Sequence, residues 1–327
     1  MQDSPETFQE HLEKNGISRR TFLKFCGLMA GTLALPLNYA NVIAQALSTA
    51  PRLPVIWLEF QDCTGDSESF LRAGKTPSGL SLSLPVSDKT VTDLLLDYLS
   101  LDYHETLMAP SGAAAAKSLA DSIAKYPGGY VVVVEGSIPT AQNGTFCVIN
   151  GKTALSILQD VSSKALATIA MGACATDGGV AAAGPNPTHA VGVGQAAPHA
   201  PNLINLPGCP ANVVNLVACL VNYVTTKQWP ATDPTTHMPL FAYGGLVHDY
   251  CERRAFYEQG KFALAWGDAG HQNGWCLNKM GCKGPVTHAN CPSVKWNEET
   301  NWPVGAGHGC IGCAAPGFWA RSIYGTV

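Results

Sequence analysis

Apolar residues fall along this chain in short unbroken runs separated by longer amphipathic stretches. Val55-Ile56-Trp57-Leu58-Glu59-Phe60 and Tyr130-Val131-Val132-Val133-Val134-Glu135 show no polar alternation, the pattern of strands covered on both faces. Ala167 to Met171 and Leu203 to Leu206 repeat it more briefly. Helical periodicity lies between these runs. Thr90 to Ser100 carries Val91, Leu94, Leu95, Tyr98 and Leu99 at helical spacing, and Ala-rich Ser111 to Tyr126 stops at Pro127-Gly128-Gly129. Ala154 to Ala167 also reads as helix, as does a segment from about Ala211 to Thr226 behind Pro207-Gly208. Strands alternating with helices predict an α/β fold built on a doubly wound parallel sheet, with flavodoxin-like order as the default. Beyond residue 230 the strand signal fades into loops. The chain is therefore expected to divide into a sheet unit, 47–230, and a loop-rich C-terminal domain, 231–327, behind a leader, 1–46.

In the leader, Ser18-Arg19-Arg20-Thr21-Phe22-Leu23-Lys24 precedes an apolar run from Phe25 to about Leu37. An arginine pair ahead of a short hydrophobic stretch is the twin-arginine export pattern. The run is too short to cross a hydrocarbon core of roughly 30 Å as a helix. Ala44-Gln45-Ala46 supplies small residues for cleavage after Ala46. The expected destination is the periplasm, reached after folding and cofactor insertion. No later stretch has membrane length: the longest candidate, Val213 to Val224, is interrupted by Asn215, Cys219 and Asn222. Membrane association is expected only through another subunit.

Composition narrows the partners. A hydrophobic share of 46% excludes a disordered chain. Charged residues make up 13%, about half of the roughly 25% of ordinary soluble proteins, which predicts a large surface buried against a partner. A net charge of -4 without a Lys/Arg run excludes nucleic acid as that partner.

Twelve cysteines carry the chemistry. Cys63, Cys174 and Cys209 each follow a predicted strand, and Gly65, Gly136, Gly172 and Gly208 mark the same edge. Ligands of such sheets bind outside the carboxyl ends of the strands, so three thiols from three strand ends are expected to converge. Six more cysteines lie between 251 and 313, in His248-Asp249-Tyr250-Cys251, at Cys276 and Cys282, in Cys291-Pro292, and in Cys310-Ile311-Gly312-Cys313. Close thiolates with glycine between them suit Fe–S clusters. Spacing alone leaves zinc and a disulfide framework open.

Six motifs in one order resemble the small subunit of NiFe hydrogenases of the exported, group 1-type uptake class. They are WLEFQDCTGDSESFLR (57–72), GACATDGG (172–179), LPGCP (206–210), HDYCERR (248–254), GWCLNKMGCKGP (274–285) and NWPVGAGHGCIGC (301–313). The resemblance implies a relay of two 4Fe–4S clusters and one 3Fe–4S cluster. Cys63, Cys174 and Cys209 would hold a proximal 4Fe–4S cluster, Cys291, Cys310 and Cys313 a medial 3Fe–4S cluster, and His248, Cys251, Cys276 and Cys282 a distal 4Fe–4S cluster. It also implies an obligate large subunit with the NiFe centre, and a membrane cytochrome or ferredoxin-like subunit as acceptor. No catalytic residue is expected on this chain. It departs from the family at Asp66, where the proximal motif usually has its second cysteine. A carboxylate can ligate iron as a harder donor, so Asp66 is read as the fourth proximal ligand, against the alternative of a solvated loop residue. Some oxygen-tolerant relatives carry extra proximal cysteines; the matching positions here are Gly65 and Gly179.

The alternative functions are a single-cluster quinone-reductase-type subunit and a disulfide-stapled periplasmic binding protein. Cys147 and Cys219 are expected to be core thiols, Cys26 to leave with the leader, and His104, His189, His199, His237, His271, His288 and His308 to be structural.

Overall fold

The computed structural model describes residues 18–36, 38–71, 99–296 and 300–320. Helices α1 (Arg19–Thr32) and α2 (Tyr39–Thr49) precede strand β1 (Leu53–Glu59) and the short helix α3 (Gly65–Leu71). Then follow β2 (Leu99–His104), α4 (Gly112–Lys125), β3 (Val131–Glu135), α5 (Ala154–Ser162), β4 (Ala167–Met171), α6 (Gly172–Asp177), β5 (Leu203–Leu206) and α7 (Val213–Thr226). The five strands form one parallel sheet in the order β2-β1-β3-β4-β5. That is the flavodoxin-like order, and it makes β1 and β3 the switch point where loops diverge.

Every residue of β1, β3 and β4 is buried, because helices cover both faces. Val55, Trp57, Val131 and Val133 point to the face that packs on α7. Ile56, Leu58, Val132 and Val134 meet Ile157, Leu158 and Val161 of α5 on the other. Residues 90–98 of the predicted Thr90–Ser100 helix lie outside the described residues, and Leu99–Ser100 instead begin β2.

The C-terminal segment has little regular structure but packs on the α7 face, through Leu277, Trp302 and Val304. Polar clamps hold it at chosen points. Asn215 of α7 and Asn290 exchange amide hydrogen bonds at 3.2 and 2.8 Å, the Tyr243 hydroxyl donates to the Pro207 carbonyl at 2.9 Å, and the Gly317 amide donates to Asp177 at 2.7 Å. Each clamp lies within three residues of a candidate ligand or just beyond the strand end that carries one.

Candidate metal centres

Loops at the carboxyl edge of the sheet bring Cys63, Asp66, Cys174 and Cys209 together. Burial pushes the Cys174 thiol up to about 12, and Cys209, Asp66 and Cys63 push the same way. Cys209 rises to about 11, through burial and then Cys313, Asp66 and Cys63, with the Trp319 indole opposing. Asp66 lies in the first turn of α3 and is 8% exposed, a buried position and not a solvated loop one. Its Oδ1 accepts the Ala211 amide at 2.5 Å. Burial first raises its carboxyl to about 7, against that amide, and Glu135 and Asp62 add to the rise. Gly172 follows β4 at φ +86°, and a side chain there would overlap the Asp66 carboxylate. A Cβ on Gly179 would lie 2.5 Å from the Cys174 sulfur, and one on Gly65 3.1 Å from the Cys63 sulfur. The glycines thus keep room beside the donors, as a bulky inorganic group needs. Cys63 and Cys209 stay exposed in this single chain.

Cys291, Cys310 and Cys313 line a cavity of about 420 Å³, walled also by Trp296, Trp302 and Pro303 and reached by Cys209. Burial lifts the Cys291 and Cys310 thiols to about 12 each. The cavity sits beside the loop that follows β5, since Cys209 and Cys313 line it together. His248, Cys251, Cys276 and Cys282 line a second, tighter pocket. His248 lies on a 3-10 turn spanning Val247–Tyr250, and its ring meets Tyr257 edge-on at 4.7 Å. The Arg253 amide donates to the Cys251 sulfur at 3.4 Å. The two pockets touch where the Cys310 amide donates to the Cys282 sulfur at 3.2 Å.

The donor sets fit iron–sulfur clusters. All twelve cysteines are free thiols, so the disulfide framework left open by the spacing is not formed. Among the described residues, no three His, Cys, Asp or Glu side chains converge on one point as ligands of a single ion do. A body of several irons spreads its ligands more widely. Among the described residues no helix is long and apolar enough to cross a membrane.

Comparison with known proteins shows the family. Residues 243–324 match the C-terminal family of the NiFe/NiFeSe hydrogenase small subunit, and residues 78–223 the family of the NADH ubiquinone oxidoreductase 20 kDa subunit. The periplasmic NiFe hydrogenase small subunit 1 of Nitratidesulfovibrio vulgaris is 46% identical across 96% of this chain and 94% of its own length. The chain belongs to the NiFe hydrogenase small-subunit family. The quinone-reactive Ni/Fe-hydrogenase small chain of Wolinella succinogenes is 41% identical over 94% of the chain and 83% of its own. The crystal structure of the Ni-Fe-Se hydrogenase from Desulfomicrobium baculatum superposes with a TM-score of 0.73 at 30% identity, covering 85% of this chain and 100% of that one.

In this hydrogenase small subunit the proximal loop rests on buried acids that sequence reading passed over. Glu59 and Glu135 end β1 and β3, where a charged residue reads as the border with solvent, yet they are 6% and 1% exposed. His104, expected to be structural, is buried beside them and its Nε2 meets the Ser67 hydroxyl at 3.1 Å. Cys219 is buried as expected, but Cys147 is only half-buried. Glu105 is raised to about 7 and Asp62 to about 6, both chiefly by burial. These two and Asp66 hold protons in the folded chain that they lose in the unfolded one between about pH 4 and 7. Folded stability is therefore present below pH 4 and lost as pH rises through that window. Buried His104 is lowered and works in the opposite direction, one group against three. Thermal unfolding of the iron-free chain should give a higher midpoint at pH 5 than at pH 8, and Asp66→Asn should narrow the gap. Equal midpoints in wild type would contradict this.

Proposed function

We propose that this chain is the electron-transferring small subunit of an exported uptake hydrogenase, carrying electrons from hydrogen oxidation on its large subunit through three Fe–S clusters. The observation that carries the reading is the contiguity of the three donor sets, joined where Cys209 and Cys313 line one cavity and where the Cys310 amide meets the Cys282 sulfur. Cys63, Asp66, Cys174 and Cys209 would hold a 4Fe–4S cluster next to the large subunit. Cys291, Cys310 and Cys313 would hold a 3Fe–4S cluster, and His248, Cys251, Cys276 and Cys282 a second 4Fe–4S cluster. When bound, such clusters accept and release single electrons.

The chain's own residues prepare these sites. Buried thiols with raised pKa stay protonated until iron displaces the protons, so loading releases acid and favours folding. The apolar wall of the medial cavity, Trp296, Trp302 and Pro303, excludes water from the middle of the relay. The exposed proximal sulfurs match a face covered by the large subunit. That interface is expected at the obligate end of the range, above roughly 2,000 Å². The twin-arginine leader would export the assembled complex, and a membrane cytochrome or ferredoxin-like protein would take electrons near His248.

The test is iron and spin. The complex, purified without oxygen, should be brown and hold about twelve irons, eleven from two four-iron clusters and one three-iron cluster and one from the large subunit's NiFe centre. Reduction with hydrogen should change the cluster EPR signals. A colourless complex with fewer than four irons would refute the relay. A four-iron total would instead favour the single-cluster quinone-reductase alternative.

A further inference from the structure

The carboxyl end of β3 places Glu135 directly beneath the Asp66 loop, where it meets no side-chain donor of the ligand sets described above but holds the backbone of one of them. Its Oε1 accepts the Asp66 backbone amide at 2.9 Å. Its Oε2 accepts the Ser67 amide at 3.0 Å, the Ser67 hydroxyl at 2.5 Å and the Trp57 indole at 3.1 Å. One carboxylate thus takes the first free amides of α3, the group of donors that a helix start leaves without partners. Among the described residues no Lys or Arg forms an ion pair with it; the groups that meet its oxygens are hydrogen-bond donors.

We propose that Glu135 is the positioning residue of the proximal site, gripping the Asp66 and Ser67 amides so that the Asp66 side chain can lie only between Gly172 and Ala211. The grip is braced from behind. His104 stacks on Trp57 with ring centroids 5.1 Å apart, and its Nδ1 faces the Leu107 amide at 3.3 Å. That leaves Nε2–H to donate to Ser67, whose hydroxyl hydrogen then points at Glu135. Glu59 completes the brace by accepting the Thr106 amide at 2.8 Å and hydroxyl at 2.6 Å. The Trp57 indole, the Asp66 and Ser67 amides and the Ser67 hydroxyl all donate to Glu135, while Glu59 lies 3.3 Å from the same hydroxyl. A glutamine there would turn an amide N–H toward at least one backbone N–H, and the Asp66 amide, on the oxygen with a single partner, is the contact that gives way.

The inference rests on the proximal-cluster reading, and the test separates the two. In the intact complex, Glu135→Gln should raise the proximal midpoint potential, because the reduced cluster loses a fixed ligand and a nearby negative charge. The expected size is about a tenfold change in the reduction equilibrium, or about 59 mV for one electron. The part of that effect that acts through the Asp66 side chain should disappear when Asp66 is alanine, which keeps the backbone amide but offers no side chain to place, leaving only the part due to charge. Redox-titrated EPR of wild type, Glu135→Gln, Asp66→Ala and the double variant reads this coupling. Glu135→Asp, which keeps the charge but is one methylene too short to hold both amides, should shift the midpoint less and in the same direction, and it decides the matter if Glu135→Gln fails to load iron. An unchanged midpoint in Glu135→Gln, or in Glu135→Asp where that variant must decide, overturns the proposal. So does a Glu135→Gln shift that persists in full beside Asp66→Ala. Absence of any proximal signal in wild type overturns the cluster reading itself.

Discussion

Asp66→Ala is expected to lower hydrogen-driven reduction of an external acceptor by at least roughly 10–100-fold, the range over which even outer-shell changes at metal sites act. Hydrogen–deuterium exchange at the large subunit should survive. Two properties of Asp66 make it the informative position. It is buried at the start of α3 with one oxygen committed to the Ala211 amide, and Gly172 is held at a positive φ where a side chain would strike it. Alanine would leave the Ala211 amide without its acceptor, a loss of about 1–3 kcal/mol, and the cluster without a donor. Asp66→Cys restores a donor. Thiolate gives iron more charge than carboxylate, so the four-iron cluster should assemble with a lower midpoint and altered spectra. Matching proximal signals in wild type and both variants would show that Asp66 does not bind iron.

The same corner shows how far the sequence could be read. β1, β3 and β4 were legible because a strand buried along its whole length shows an almost unbroken apolar run, β5 because only Asn205 interrupts Leu203, Ile204 and Leu206, and the cysteines that follow β1, β4 and β5 mark one edge. β2 was not, because Ser100, Asp102 and His104 interrupt its apolar residues, and the helical spacing of Thr90–Ser100 ran into its first two residues. Glu59 and Glu135 hid for another reason. A carboxylate closing an apolar run reads as solvent, and only the third dimension shows that helix amides and an indole have replaced the water. Spacing also failed to divide the last seven ligands, since Cys282 and Cys310 belong to different pockets yet touch through a backbone hydrogen bond. That division came from family resemblance, and the two cavities group the same residues.

Replacing Arg19 and Arg20 together by lysine is expected to hold the complex in the cytoplasm, with periplasmic hydrogenase reduced to background and the fold unchanged. The segment proposed as the leader is not a loose tag in this structure. Helices α1 and α2 form a hairpin whose apolar face, Phe22, Phe25, Cys26, Met29 and Ile43, joins the core beneath α7. Ser18 caps α1 by accepting the Thr21 amide at 3.2 Å, which leaves Arg19 and Arg20 exposed at its tip. Lysine keeps the charge and nearly the same helix propensity, so the double variant should unfold within about 0.5 kcal/mol of wild type. An address read as an arginine pair is nonetheless lost. Phe25→Asp reverses the outcome: the arginine pair stays, while a buried ring is exchanged for an unpaired charge at about 3–5 kcal/mol. Ala44 and Ala46 lie inside α2, half-buried, so a peptidase reaches the bond after Ala46 only once that helix unwinds. Phe25→Asp should therefore speed processing of the isolated chain by leader peptidase, whereas the lysine pair should leave it unaltered. Fractionation and leader-cleavage rates of the two variants separate address from packing, and wild-type export by the double-lysine variant would show that the pair is not the signal.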